Sequence, residues 1–324
     1  MACQYRVHSD ITVEIPKIGE IVSETGIQIS KSVTEDRCFV LDVGTTTLAL
    51  ALVSLNDQCV VGIKTGTNPQ RAFGADIMTR IDFCRRFGVE ELQRVLVAEI
   101  NALIRSFAVP CVDRLYVAGN TTMLHLLLGV DCSSIGVAPY TPVFLDRQCR
   151  AAEEIGIEGV RVVETLPAIA SFVGADLVAG LNFVEMPEAE TYSLLVDLGT
   201  NAEIILFSKE KILCTAAAAG PCFEGANISC GMSATAGAIY AYANGVATTI
   251  GNLPAKGVCG TGLFDIIAEL LANETMDATG FLEEPFEIAP GVQLTQADVR
   301  QFQLAKAAVY AGIQTLIQDR KSVV

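Results

Sequence analysis

Two aspartates in this sequence occupy the same place in a repeated pattern. Asp42 lies in CFVLDVGTTTLALALV, which begins at Cys38, and Asp197 in LLVDLGTNAEIILF, which begins at Leu194. In each, an apolar run ends near the aspartate, a Gly-Thr turn follows, and a second apolar run begins. A tight strand-to-strand turn exposes several backbone N–H groups in one direction, and hydroxyls add donors there. Glycine supplies the positive φ or the close approach that such a turn needs. An anion such as phosphate suits that arrangement. Its donors would be Gly44, Thr45, Thr46 and Thr47 in the first turn, and Gly199, Thr200 and Asn201 in the second.

A carboxylate cannot bind phosphate itself. Asp42 and Asp197 can hold Mg²⁺, directly or through water, and Mg²⁺ bridges to phosphate oxygens. Two such turns face to face would grip the phosphate tail of a nucleotide from both sides. The plain reading of one turn alone is a hairpin whose aspartate caps the turn; the repetition argues for the clamp. Glu203 follows the second turn and would orient water, unless it is an exposed strand residue. Gly119, Asn120 and Thr121 read as a helix N-terminus near the site, or as an ordinary N-cap. His125 sits inside an apolar helix, where a core histidine is expected.

The elements that position these residues follow from periodicity. Runs at 38–43 and 48–55 are strand-like, and TGTNPQRAFGAD has loop chemistry. Residues 89–107 place Leu92, Val95, Leu96, Ile100, Leu103, Ile104 and Phe107 at helical spacing. DRLYVAGN reads as a strand, Asn120 as the cap of the next helix, and Gly129 as its end. Strands at 193–198 and 202–207 flank the second turn. A region rich in small residues follows, then helices at 261–272 and 295–317. A motif repeated at domain-sized separation predicts two related α/β subdomains, because a solenoid repeats every 20–50 residues.

The formal net charge is -15 and no basic run is present. That excludes nucleic acid and anionic membrane as partners, since both need clustered Lys and Arg. A local pocket of backbone N–H groups can still take phosphate. The 11 cysteines are irregularly spaced, with no Cys-x-x-Cys pair, so no disulfide framework is expected. His8, Asp10, Glu14 and Lys17 stand where a signal peptide would be apolar. The uncharged stretch 225–255 is broken by turn residues and makes a poor membrane span. These features predict a protein of a reducing cytoplasm.

Longer stretches then carry a resemblance. They are LDVGTTTLALAL, TNPQRAFGADIMTRI, VAGNTTMLHLLLG, LPAIASFVGADLVAG, LLVDLGTNAEI, AAAAGPCFEGANISCGMSATAGAI and QLAKAAVYAGIQTL, between about residues 38 and 317. The two turns resemble the phosphate loops of the actin, sugar-kinase and heat-shock-chaperone ATPase superfamily. Within it, the sequence is similar to the ATPase domain of the reductive activators of corrinoid iron–sulfur proteins and corrinoid methyltransferase systems. The resemblance implies an α/β fold of two ribonuclease-H-like subdomains flanking a nucleotide cleft, at 37–190 and 191–318, with the second incomplete. It implies ATP and Mg²⁺ as cofactors, a corrinoid protein as partner, and ATP-dependent reduction of that partner's cobalt from Co(II) to Co(I). Homodimerisation is left open.

Residues 1–36 resemble the junction after a ferredoxin-like domain, with Cys3 in the place of the last ligand of a 2Fe–2S cluster. One thiolate cannot hold a cluster that needs four ligands, so the cluster is expected in full-length relatives and not in this chain. The family's Gly-Gly adenosine turn has no counterpart here. Residues 319–324, DRKSVV, read as a sequencing-adapter artefact, and the chain as truncated at both ends. Two further functions stay open at this point: a small-molecule kinase of the same superfamily, which needs a further aspartate base in the cleft, and an actin-like scaffold switched by nucleotide.

Overall fold

The computed structural model describes residues 36–188 and 191–321. Cys3 and the rest of the junction segment through Glu35 lie outside them. Hydrophobic alternation builds the first sheet. Strands β1 (Arg37–Val43), β2 (Thr47–Ser54) and β3 (Cys59–Thr67) form an antiparallel meander. β4 (Val112–Gly119), β5 (Cys149–Ala151) and β6 (Val160–Thr165) complete a mixed sheet in the order β3-β2-β1-β4-β6-β5. β4 runs parallel to both β1 and β6.

In β1, Phe39, Leu41 and Val43 are buried while Val40 and Asp42 are exposed. Period-two alternation therefore turns Asp42 away from the core. Helix α1 (Ile77–Phe87) and the longer α2 (Glu90–Ser106) lie on the core side. Leu92, Leu96, Ile100, Leu103 and Ile104 are its buried stripe, and Glu90, Glu91 and Arg105 match the helix dipole at its two ends. α3 (Thr121–Leu127) is capped by the Asn120 side chain, which accepts from Met123 N at 2.9 Å. His125 within it is fully buried and satisfied: Nδ1 lies 2.7 Å from Thr121 O, and Nε2 accepts from Val143 N at 3.1 Å. α4 (Ala152–Ile155) precedes β6, and α5 (Ala175–Phe183) follows it.

The second half opens on another antiparallel meander, β7 (Ser193–Leu198), β8 (Ala202–Phe207) and β9 (Ile212–Ala217). Then come the small sheet of β10 (Ala238–Ala243), β11 (Val246–Thr249) and β12 (Gly257–Val258), helix α6 (Gly260–Ala272), hairpin β13 (Phe286–Ala289) and β14 (Val292–Leu294), and the long α7 (Gln296–Lys321). Leu316, Ile313 and Ile317 of α7 pack on Ile204 and Leu206, one face of the β8 strand. The other face, Ile205 and Phe207, packs on Leu177 and Leu181 of α5. α5 thus belongs to the first half by sequence and joins the second by packing. Sequence spacing misses α1, α4, α5, β3, β5, β6 and β9 to β14, and α7 runs past the expected 317 to Lys321. No described helix is long and apolar enough to cross a membrane.

The start of α5 is tightly seated. A Cβ on Gly174 would lie 2.3 Å from Asn120 Cα and 2.8 Å from Gly119 O, so only glycine lets the helix close on the β4–α3 turn. Gly180, later in the same helix, has only Leu195 Cδ2 near, at 3.6 Å. Gly174→Ala is expected to lower stability by about 1–3 kcal/mol through forced displacement. Gly180→Ala should leave stability unchanged or raise it slightly, since alanine favours helix. Urea-denaturation midpoints of the two variants check this.

Candidate functional site

The two repeated turns face one cavity of about 530 Å³. Asp42, Gly44, Thr45, Thr46 and Thr47 line it from the first half, and Asp197, Gly199, Thr200, Asn201 and Glu203 from the second. Asn120 reaches it as well, whereas Gly119 and Thr121 do not line it. Gly119 backs onto Val43, with a Cβ there meeting Val43 O at 2.9 Å, and the Thr121 hydroxyl donates to Ala170 O at 2.6 Å. These two support the turn from behind.

The first turn is held by its carbonyls. Asn68 Nδ2 donates to Gly44 O at 2.8 Å, Arg80 Nη2 to Thr45 O at 2.6 Å, and Asn68 N to Thr46 O at 2.9 Å. With three successive carbonyls drawn back, the turn's N–H groups are left for the cleft. Asn120 Nδ2 donates to Thr45 Oγ1 at 3.2 Å and fixes that hydroxyl from the other side. Gly44 is required by proximity and has no positive φ: a Cβ would meet Thr47 O at 2.5 Å. Gly199 also has no positive φ, and its nearest neighbour is a Glu224 carboxylate oxygen at 3.3 Å. The positive φ foreseen as one use of glycine is therefore taken by neither turn.

The second turn already holds an anion. Thr200 N donates to Glu224 Oε1 at 3.2 Å and Thr200 Oγ1 to Glu224 Oε2 at 3.0 Å. Glu224 ends a single 3₁₀ turn at Pro221–Glu224, and its carboxylate stands in for phosphate oxygens on the same backbone and hydroxyl donors. That contact shows the donor geometry of this turn suits an oxyanion.

Four carboxylates converge. Asp197 and Glu203 are direct cross-strand partners in the β7–β8 register, so they share one face. The fourth is Asp176, in the first turn of α5, which lines the same cavity. Confinement by the cleft walls, then the charges of Asp176 and Asp197, raise Asp42 to about 6. Confinement, then Asp197, also raises Asp176 to about 6. Burial, then Asp176 and Asp197, raises Glu203 to about 9. Asp197 is raised by confinement. Glu203 is only 8% exposed. Glu203 is thus not the exposed strand residue that was its other reading. No Lys or Arg pairs with any of the four among the described residues.

Such a set lacks a cation. No group of three or more His, Cys, Asp or Glu among the described residues closes into a metal cage by itself. Mg²⁺ rarely uses one: it keeps waters and takes one or two carboxylates plus substrate phosphates. Oxygen-only donors and mutual repulsion fit Mg²⁺ brought in with a phosphate ligand.

Sequence reasoning missed Asp176, Arg80, Asn68 and Glu224. One signal for Asp176 was present: Gly-Ala-Asp occurs at 74–76 and again at 174–176, each time at the start of a helix. Asp76 is a true N-cap, accepting from Thr79 N at 2.8 Å, and it too lines the cavity.

Comparison with known proteins follows the same boundaries. Residues 38–189 match the family model described as the RACo middle region, and residues 191–323 the one described as the C-terminal domain of RACo, the ASKHA domain. The chain is 30% identical to the corrinoid activation enzyme RamQ of Eubacterium limosum, over 86% of this chain and 54% of that protein. It is 28% identical to the [Co(II) methylated amine-specific corrinoid protein] reductase of Methanosarcina barkeri, over 86% and 59%. A solved structure, the reductive activator for a corrinoid iron–sulfur protein, superposes with a TM-score of 0.77 at 31% identity, covering 90% of this chain and 52% of that one. The chain spans little more than half the length of the relatives it matches. Carrying both the RACo middle region and the RACo C-terminal ASKHA domain, the chain belongs to the RACo family.

Proposed function

We propose that this chain supplies the ATP-binding, ATP-hydrolysing and docking part of a reductive activator that returns a corrinoid protein's cobalt from Co(II) to Co(I). The observation that carries it is the cleft between two repeated Asp-x-Gly-Thr turns, one braced through its carbonyls and the other already holding a carboxylate. Family membership and the relatives' named activities support the reading. On this reading the halves are two ribonuclease-H-like subdomains, 37–190 and 191–318.

The chain's own residues divide the work. The amides and hydroxyls of Thr45, Thr46 and Thr200 receive phosphate oxygens. Asp42 and Asp197 would hold Mg²⁺, which would supply charge neutralisation for the phosphates. Asp176 and Glu203 face the same space from outside the turns: Glu203, kept protonated by its raised pKa, orients the attacking water, and Asp176 takes that water's proton as its oxygen bonds to the γ-phosphorus and the phosphorus–oxygen bond to ADP breaks. The Co(II) centre gains one electron, delivered by a low-potential donor outside the described residues. ATP favours a conformation or complex in which the cobalt accepts it.

A kinase reading gains one observation. Asp176 is the further cleft aspartate that it requires, and a second cavity of about 530 Å³ adjoins the first beside Arg71, Phe223 and Thr261. ADP formation that depends on an added small hydroxyl acceptor, and not on a corrinoid protein, would decide for it.

Asp42→Asn and Asp197→Asn are each expected to abolish Mg²⁺-dependent ADP production by the activator while leaving its circular dichroism unchanged. Normal turnover in both variants would sink the clamp. Glu224→Ala vacates the second turn, so it should tighten MgATP binding severalfold in calorimetry. The acid cluster also makes a stability statement. A carboxyl whose folded pKa lies above its unfolded value binds more protons when folded, so stability falls as pH rises. The window runs from the ordinary carboxylate range through about 6 for Asp42 and Asp176 to about 9 for Glu203. The denaturation midpoint of the ligand-free chain should fall across this window, and Glu203→Gln should flatten its upper part.

A further inference from the structure

Behind the first turn lies a cation that the clamp does not require. Arg80 is fully buried, and among the described residues no carboxylate pairs with it. All its partners are neutral. Nη2 donates to Thr45 O at 2.6 Å and Nε to Gly74 O at 3.0 Å. Nη1 reaches Gln70 Oε1 at 3.3 Å and Met123 Sδ at 3.2 Å. Gln70 is itself buried and tied to Leu92 O of α2 at 2.9 Å, so the fork is anchored to the core. Burial, then the nearby charge of Arg71, lowers the Arg80 pKa to about 10, with Asp76 opposing, and the group stays protonated at neutral pH.

A buried charge held by neutral groups alone is costly, and charged side chains are rarely buried without a partner. Beyond the distant opposing charge of Asp76, the cleft in front of the turn can supply a counter-charge. Thr45 O, to which the guanidinium is bonded, belongs to the turn whose other side lines the cleft. A positive charge in that dry interior acts through the turn with less screening than a surface lysine would. The same hydrogen bond draws the Thr45 carbonyl back and leaves the turn's amides forward.

We propose that Arg80 is a positioning residue for the phosphate tail, acting through the Thr45 peptide, and that the bound polyphosphate is the counter-charge its site lacks. The proposal rests on the nucleotide reading above and names a residue outside the repeated turns.

The test uses the whole chain, Arg80→Met, which keeps the bulk without the charge, and Arg80→Lys, which keeps the charge without the fork. Calorimetry is run with MgATP, MgADP and AMP at a temperature where circular dichroism shows each protein folded. Arg80→Met is expected to weaken MgATP about tenfold or more, as for loss of a charge-assisted contact. MgADP should lose less and AMP least, with Arg80→Lys between wild type and Arg80→Met. A loss equal for all three ligands marks a merely structural residue and overturns the proposal, as does MgATP affinity unchanged in folded Arg80→Met. If Arg80→Met does not fold, Arg80→Lys decides: graded weakening supports the assignment and wild-type affinity overturns it. Failure of the wild-type chain to bind MgATP overturns the nucleotide reading itself, and the Arg80 assignment with it.

Discussion

Four carboxylates facing one another is the constraint on which this molecule turns. Asp42, Asp176, Asp197 and Glu203 come from four separate elements, and no described cation pairs with them. Like charges in a confined cleft cannot all ionise without raising one another's pKa. The surrounding protein must therefore be rigid enough to hold an unfavourable arrangement until a ligand relieves it. The two sheets, the buried stripe of α2 and the clamp of Gly174 on Asn120 supply that rigidity.

The rigidity is not shared evenly. The first turn is fastened at three carbonyls and a hydroxyl by Asn68, Arg80 and Asn120. The second has a looser hold, through Glu224 on a short 3₁₀ turn. α5 joins the two sides, its N-terminus against the first turn's support and its apolar face on β8. The helix that packs on β8 thus also carries a cleft carboxylate, Asp176.

Much of this was legible from residue order, and the failures have physical causes. The strands 193–198 and 202–207 were read at their true limits because apolar runs and a strong turn signal agree there. The stripe at 89–107 and the Asn120 cap were equally plain. α1 was hidden because the charged residues Arg80, Asp82, Arg85 and Arg86 break its apolar stripe, and one of them, Arg80, turns out to be core. α5 was hidden because it is apolar nearly all round, packed between the halves, and its periodicity is faint. Asp176 was missed for a different reason. Its role depends on where a helix end lands, and three-dimensional convergence leaves no mark on local spacing. Gly119 and Thr121 were over-read: they flank a cap that touches the site, yet both back onto the fold.

The β1–β2 and β7–β8 hairpins are copies with one difference of register. Asp42 faces Ala49 across its hairpin, whereas Asp197 faces Glu203, because the first turn is one residue longer. Two identical hairpins facing each other would be related by a two-fold rotation, with both sides of the cleft equivalent. One added residue breaks that equivalence. It places a methyl group beside one aspartate and a protonatable acid beside the other, and so gives the two sides of the site different chemistry.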